Sequence, residues 1–219
     1  MNYNYQKARE LMVENQLRPN KIKDPVILDL FKEIPKENFI LNGEKTIPYS
    51  DSDVTLIDNR GYLKNLHIAQ LINYAEIKKE HKILHLGALT GYVTVLISNL
   101  CMKVYAVETN EILKSQLKNN VKKSNSNNIE VVEGSFIDGF KSHEPYDRII
   151  IDSPIKNIGD NIFDQLSSNL GKVIMIKREN IYLSKAIKIT KNNKNFSKEY
   201  LFDIFSKYDL IEENEGFEF

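Results

Sequence analysis

The chain has 219 residues, enough for one sizeable core with appendages and too few for two comfortable ones. Its 30 basic and 30 acidic side chains cancel, so no global field draws nucleic acid or an anionic membrane to it. One cysteine, Cys101, excludes an internal disulfide, and with only four scattered histidines no zinc-type spacing is present.

The N-terminal stretch Met1–Arg18 is polar and charged, without the apolar core of a signal peptide, and no apolar run reaches membrane-spanning length. The expected location is the cytoplasm. Ala8, Leu11, Met12 and Asn15 recur at helical spacing, with Leu17 closing the stretch before Arg18-Pro19-Asn20 breaks it. Asp24-Pro25 is a helix start, a capping carboxylate followed by proline at the first helical position. Val26, Ile27, Leu30, Phe31 and Ile34 give that helix an apolar stripe, and Pro35 ends it. Asn42–Leu63, polar and containing Gly43, Pro48 and Gly61, reads as a long loop, a length that is often functional. Ile68, Leu71, Ile72 and Ala75 mark a further helix.

From Lys82 to Lys177 short runs rich in Ile and Val alternate with helical or polar segments. The runs are Lys82–Leu86, Lys103–Glu108, Ile129–Glu133, Arg148–Asp152 and Lys172–Lys177, with helices over Tyr92–Leu100 and Asn110–Lys123. Such repetition predicts an α/β fold, a doubly wound Rossmann-like parallel sheet with helices on both faces and right-handed crossovers. Tyr182–Thr190 and Phe196–Phe205 read as an antiparallel strand pair closing the sheet edge, with a helix over Lys198–Phe205 as the competing reading. Two phenylalanines in the acidic end, Glu212–Phe219, are suited to pin the tail down. The whole is read as a single domain: a helical and loop extension over 1–75, a cofactor core over 76–180, and C-terminal strands and tail over 181–219.

In such a sheet, ligands bind beyond the carboxyl ends of the strands where strand order reverses. The first strand of the core ends in Leu86-Gly87, and Ala88-Leu89-Thr90-Gly91 leads into a helix. Gly87 permits a sharp turn, Gly91 permits close helix–strand packing, and exposed N–H groups at the helix start can hold a carboxylate or hydroxyl. Glu108 ends the next strand about 20 residues beyond Gly87, where an acid accepts hydrogen bonds from two ribose hydroxyls. Ser135 and Phe136 follow the third strand, where an adenine would lie; Phe136 could stack on the base or fill core. Asp152-Ser153-Pro154 ends the fourth strand, where residues face the reacting group or simply form a turn. Leu89 stands where a pyrophosphate would demand glycine, which favours a nucleoside cofactor without phosphates, S-adenosylmethionine rather than NAD. His85 reads as a packed or hydrogen-bonded residue.

Met12–Asn20, Ile22–Leu28 and Ile34–Phe39 together resemble the N-terminal signature of protein-L-isoaspartate O-methyltransferases. The resemblance continues through Lys82–Tyr92, Val104–Glu108 and Pro145–Ile149, and the last stretch, Tyr200–Asp203 to Phe217–Phe219, is similar to the tail of a bacterial branch of that family. It implies an S-adenosylmethionine-dependent repair enzyme acting on the α-carboxylate of L-isoaspartyl residues in damaged proteins, with a protein or peptide as substrate. A carboxylate is already ionised at neutral pH, so the implied chemistry needs alignment and desolvation more than a general base. Gly87, Ala88, Leu89, Gly91, Glu108, Ser135 and Phe136 are the implied cofactor contacts. The chain departs from the family pattern at four places. Leu63 stands at the position of the substrate-facing serine, His85, Ala88 and Leu89 replace family residues in the cofactor turn, Gly134-Ser135-Phe136 lacks the acid expected beside the base, and Asp152-Ser153-Pro154 replaces Thr-Ala-Ala. In the absence of the serine, Arg60 and Lys64 are the side chains that could hold the substrate carboxylate. Two other readings follow from these departures: a non-catalytic descendant acting as a binding or scaffold protein, and a methyltransferase with another acceptor. The second rests on Asp152-Ser153-Pro154, which resembles the Asp-Pro-Pro-aromatic loop of amino methyltransferases in one of its two prolines.

Overall fold

The structure is a computed structural model and describes residues 3–41 and 48–210. Two short helices open it, α1 (Tyr5–Met12), continued by a π-helical turn over Val13–Leu17, and α2 (Pro25–Glu33). Asn4 caps α1 by accepting the Lys7 N–H, and Asp24 caps α2 by accepting the Val26 N–H at 2.9 Å, with Pro25 at the first helical position. Each cap satisfies an amide that has no partner inside its helix.

Within the stretch read as one long loop, Val54–Ile57 (β1) and Arg60–Tyr62 (β2) form an antiparallel hairpin pairing Val54 with Tyr62. Strands of four and three residues are too short for an alternation signal, and the turn at Asp58, with φ at +41°, lacks the glycine that usually marks a hairpin. Residues 42–47 of that stretch, and the tail phenylalanines, lie outside the described residues.

Helix α3 (Asn65–Ala75) leads into the alternating core: β3 (Lys82–Leu86), α4 (Tyr92–Ser98), β4 (Lys103–Val107), α5 (Glu111–Lys123), β5 (Ile129–Val132), β6 (Arg148–Ile155), α6 (Asn161–Asp164) and β7 (Asn169–Arg178). In α5, Glu111 in the first turn and Lys122 and Lys123 in the last complement the helix dipole, and the Asn110 side chain caps its start. The strands β8 (Ser184–Asn192) and β9 (Asn195–Ile204) complete a seven-stranded sheet of order β5-β4-β3-β6-β7-β8-β9. The first five are parallel and the last two antiparallel, so the edge hairpin is confirmed and residues 198–204 are strand, not helix.

Both faces of β3, β4, β6 and most of β7 are buried, and their side chains alternate between two cores. Ile83, Val104, Ile150 and Ile174 join α3, α4 and the N-terminal helices in one cluster, whereas Leu84, Leu86, Val107, Ile149, Ile151 and Val173 belong to a second on the other face. This double burial makes the strands near-continuous apolar runs in sequence. The chain runs outward from β3 to β5 and then crosses back to β6, so strand order reverses between β3 and β6. Asp152-Ser153-Pro154, read from the sequence as the end of a strand, lies inside β6 at a break in its register with β7; that break and Gly87, just past β3, bound the crevice in which such sheets bind ligands. Among the described residues no helix is long and apolar enough to cross a membrane.

Candidate functional site at the β3–β6 crevice

The turn after β3 has the backbone its glycines imply. Gly87 (φ +81°) and Gly91 (φ +99°) are both left-handed, and the Gly87 and Ala88 N–H groups donate to the Val107 carbonyl at 3.0 Å. A Cβ on Gly91 would stand 2.8 Å from Leu117 of α5, so glycine is what lets α4 approach that helix. Leu89 is also left-handed (φ +52°), a conformation disfavoured for a side chain with a Cβ. Its side chain is buried in the same core cluster as Tyr92 and Val93, and Asn120 holds the turn from α5 by donating to the Thr90 carbonyl at 2.8 Å.

Glu108 follows β4 and is 1% exposed. Its Oε2 accepts the Leu89 N–H at 2.8 Å, and its Oε1 accepts the Thr109 and Asn110 N–H groups at 3.0 Å. Arg60, from the β1–β2 hairpin, closes on the same carboxylate with Nη2 donating to Oε2 at 2.9 Å and Nη1 to Oε1 at 3.3 Å. Five donors thus converge on a group with about four lone-pair sites. The Arg60 guanidinium also lies over the Phe136 ring, 5.4 Å from its centroid, and Phe136 is itself buried. Arg60 Nε is buried and finds no acceptor among the described residues, a loss that typically costs about 1–3 kcal/mol.

A second group covers Gly87. Leu210 packs against it so closely that a Cβ on that glycine would collide with Leu210 Cδ1. The segment carrying Leu210 is fastened at several points. Leu210 N–H donates to the Pro154 carbonyl at 2.7 Å, and Asp209 N–H donates to the Asn59 carbonyl at 3.2 Å. Arg178, at the end of β7, is ion-paired with Asp209 at 2.9 Å and donates to the carbonyls of Ser206 and Tyr208. The Tyr208 hydroxyl meets Thr55 Oγ1 at 3.0 Å, and its ring lies 2.6 Å from where a Gly61 Cβ would stand. The hairpin and residues 206–210 therefore interlock above the crevice.

The remaining candidates sit around this centre. Ser135 Oγ accepts the N–H groups of Ile137 and Asp138 and so closes its own turn. Asp152 is 5% exposed and its Oδ1 is 3.1 Å from His85 Nε2, while His85 Nδ1 lies 2.9 Å from Thr94 Oγ1. Both His85 ring nitrogens are thereby engaged, as is one Asp152 oxygen. Leu63 is 2% exposed, and its carbonyl accepts from Lys36 Nζ at 3.2 Å. Lys36 is fully buried between the Tyr62 and Tyr92 rings, its Nζ 5.6 Å from each centroid, and burial pushes its ammonium down to about 7. Lys64 pairs with Asp51 at 3.1 Å.

The structure brings Gly87, Ala88, Leu89, Gly91, Glu108 and Phe136 to one crevice, with Ser135 on the adjoining turn. Arg60, considered as a clamp for a substrate carboxylate, is instead the partner of Glu108. Leu210, Tyr208, Arg178 and Lys36 carry no local sequence signal for this site; only their tertiary contacts reveal them. The residues expected to hold a nucleoside are present, but as arranged they do not fit one: the ribose acceptor is saturated by Arg60, Phe136 is covered by the same guanidinium, and Leu210 fills the space that Gly87 leaves.

Comparison with known proteins bears on the origin of this arrangement. Residues 6–205 match the family described as protein-L-isoaspartate(D-aspartate) O-methyltransferase. A relative in Pelobacter propionicus, protein-L-isoaspartate O-methyltransferase 2, is 24% identical over 192 residues, covering 88% of this chain and 85% of its own. One from Methanoculleus marisnigri, protein-L-isoaspartate O-methyltransferase, is 27% identical over 160 residues, or 73% of each chain. A solved structure described as protein-L-isoaspartate O-methyltransferase superposes on 92% of this chain with a TM-score of 0.80 at 21% identity, and this chain spans 65% of that longer one. The last likeness establishes the fold.

Proposed function

The chain belongs to the protein-L-isoaspartate(D-aspartate) O-methyltransferase family, and from that premise we propose that it transfers a methyl group from S-adenosylmethionine to the α-carboxylate of isoaspartyl residues in proteins or peptides. The observation that carries this reading is the buried Glu108 carboxylate ending β4 beside the Gly87–Gly91 turn, at the reversal of strand order. A nucleoside group requires that combination of an acid for two hydroxyls and a close-approach backbone. The acceptor carboxylate needs no base, so the residues asked of this chain are ones that bind and align. The test is methyl transfer to a synthetic isoaspartyl peptide against the same peptide with normal aspartate, read by mass spectrometry. No ester on the isoaspartyl peptide at micromolar enzyme would remove the proposal.

A second reading, a non-catalytic descendant that kept the fold, draws on one specific observation: the interlocked Arg60, Phe136 and Leu210 occupy the space a cofactor needs. Leu63 at the serine position is consistent with it. Ester formation on any acceptor excludes this reading.

A further inference from the structure

We infer that Arg60 and Leu210 act as an internal occupant of the nucleoside crevice, so that the chain binds S-adenosyl compounds only from a minor state in which both are withdrawn. The inference rests on the reading of this crevice as a nucleoside site.

The chemistry of the two side chains matches the two halves of the space they fill. Arg60 brings donors to the acid that would otherwise accept hydroxyls, and lays a planar cation on Phe136, the ring placed where a base would lie. Leu210 brings an apolar branch against Gly87, whose missing side chain is what opens the backbone to a ligand. The two come from distant parts of the sequence and are held together by one set of contacts: Asp209 N–H to the Asn59 carbonyl beside Arg60, Tyr208 to Thr55 and Gly61, and Leu210 N–H to the Pro154 carbonyl on β6. Movement of residues 206–210 therefore loosens the hairpin, and movement of the hairpin releases the guanidinium.

The occupant is also imperfect. Arg60 Nε has no acceptor, and the carboxylate carries more donors than it has lone pairs. Removing the guanidinium leaves Glu108 with three backbone N–H donors and a free lone-pair direction for a hydroxyl. A ligand whose site is populated in a fraction of molecules binds with an affinity reduced by that fraction. An occupant present in nine molecules of ten or more therefore weakens binding about tenfold or more.

The experiment is titration calorimetry with S-adenosylhomocysteine on the wild type, Arg60→Gln, Leu210→Ala and the double variant, each shown folded by circular dichroism. The expected result is weak wild-type binding, at least tenfold tighter binding in each single variant, a further gain in the double variant, and loss of that gain when Glu108→Gln is added. Variants that bind no more tightly than wild type overturn the inference, as does amide exchange of residues 206–210 in the wild type that saturating S-adenosylhomocysteine fails to raise, a result that needs no variant to fold. Methyl transfer read alongside separates the two claims. Tighter binding by the variants with no transfer by any form removes the proposed function and leaves the occupant. Transfer by the wild type at a KM for S-adenosylmethionine that Arg60→Gln leaves unchanged removes the occupant and leaves the function.

Discussion

Glu108 and Arg60 make unequal bargains with each other, and the inequality can be read in a pair of stability measurements. Take Glu108→Gln. The amide nitrogen turns a donor toward N–H groups already aimed at that position, and Arg60, whose side chain is 9% exposed, loses the counter-charge that justified its burial. Stranding one member of a buried pair costs about 3–5 kcal/mol. Solvent screening gives little relief, since the Glu108 side chain is 0% exposed. Arg60→Leu is different. The carboxylate keeps the N–H groups of Leu89, Thr109 and Asn110, the unmet Nε donor disappears, and an apolar side chain against Phe136 offsets part of what is lost. A cost of about 1.5–3 kcal/mol follows, the net worth of a hydrogen bond to a charged group, with the apolar contact offsetting the second of the two bonds. The assay is urea unfolding followed by far-UV circular dichroism, with both variants and the wild type at pH 7 and equal m-values. Arg60→Leu destabilising as much as Glu108→Gln would show that the carboxylate depends on the guanidinium and that the backbone donors do not hold it.

Lys36 gives a pH signature. Burial lowers its folded-state value to about 7, against an unfolded value of about 10.4, so between those values the unfolded chain holds the extra proton and stability rises with pH. Unfolding of wild type and Lys36→Met should therefore diverge in favour of wild type by about 2 kcal/mol from pH 7 to pH 9; parallel pH profiles would refute it. Cys101 is buried and its thiol is pushed up to about 12, so iodoacetamide should label it in urea and not in native buffer over the same hours, as read by intact mass. Arg178→Ala removes three contacts that fasten residues 206–210; amide exchange by mass spectrometry should rise there and in the hairpin by tenfold or more, with the central strands unchanged. Exchange unchanged in the hairpin would show that the two elements are not coupled.

The fold was legible because its signals are local or periodic. Asp24-Pro25 announces α2 by cap chemistry, and β3, β4 and β6 announce themselves as apolar runs buried on both faces. Gly87, Gly91 and Glu108 could be placed because a turn and the end of a strand lie at a spacing that topology dictates. The β1–β2 hairpin escaped because strands this short have no alternation to count. Arg60 was visible as a charged candidate, but its partner was not: one residue sits on a hairpin and the other on the central sheet, 48 positions apart. Leu210 is one apolar residue near an acidic tail, and its role depends on what β6 and β7 offer it. The His85–Asp152 pair is of the same kind, since neither residue's neighbours in sequence predict the other.

The bond between Thr55 and Tyr208 joins residues 153 positions apart, and that separation has a kinetic meaning. Contacts of such span bear the largest loop-closure entropy, and folding forms them after nearer pairings have shortened the effective distance. The sheet must first bring the end of β7 and the turn after β3 into place, because Arg178 and Gly87 are the surfaces on which residues 206–210 land. Covering of the crevice is accordingly a late event in folding. The expected outcome is that a nucleoside present during refolding meets the site before Arg60 and Leu210 close on it, read as a refolding rate that S-adenosylhomocysteine changes.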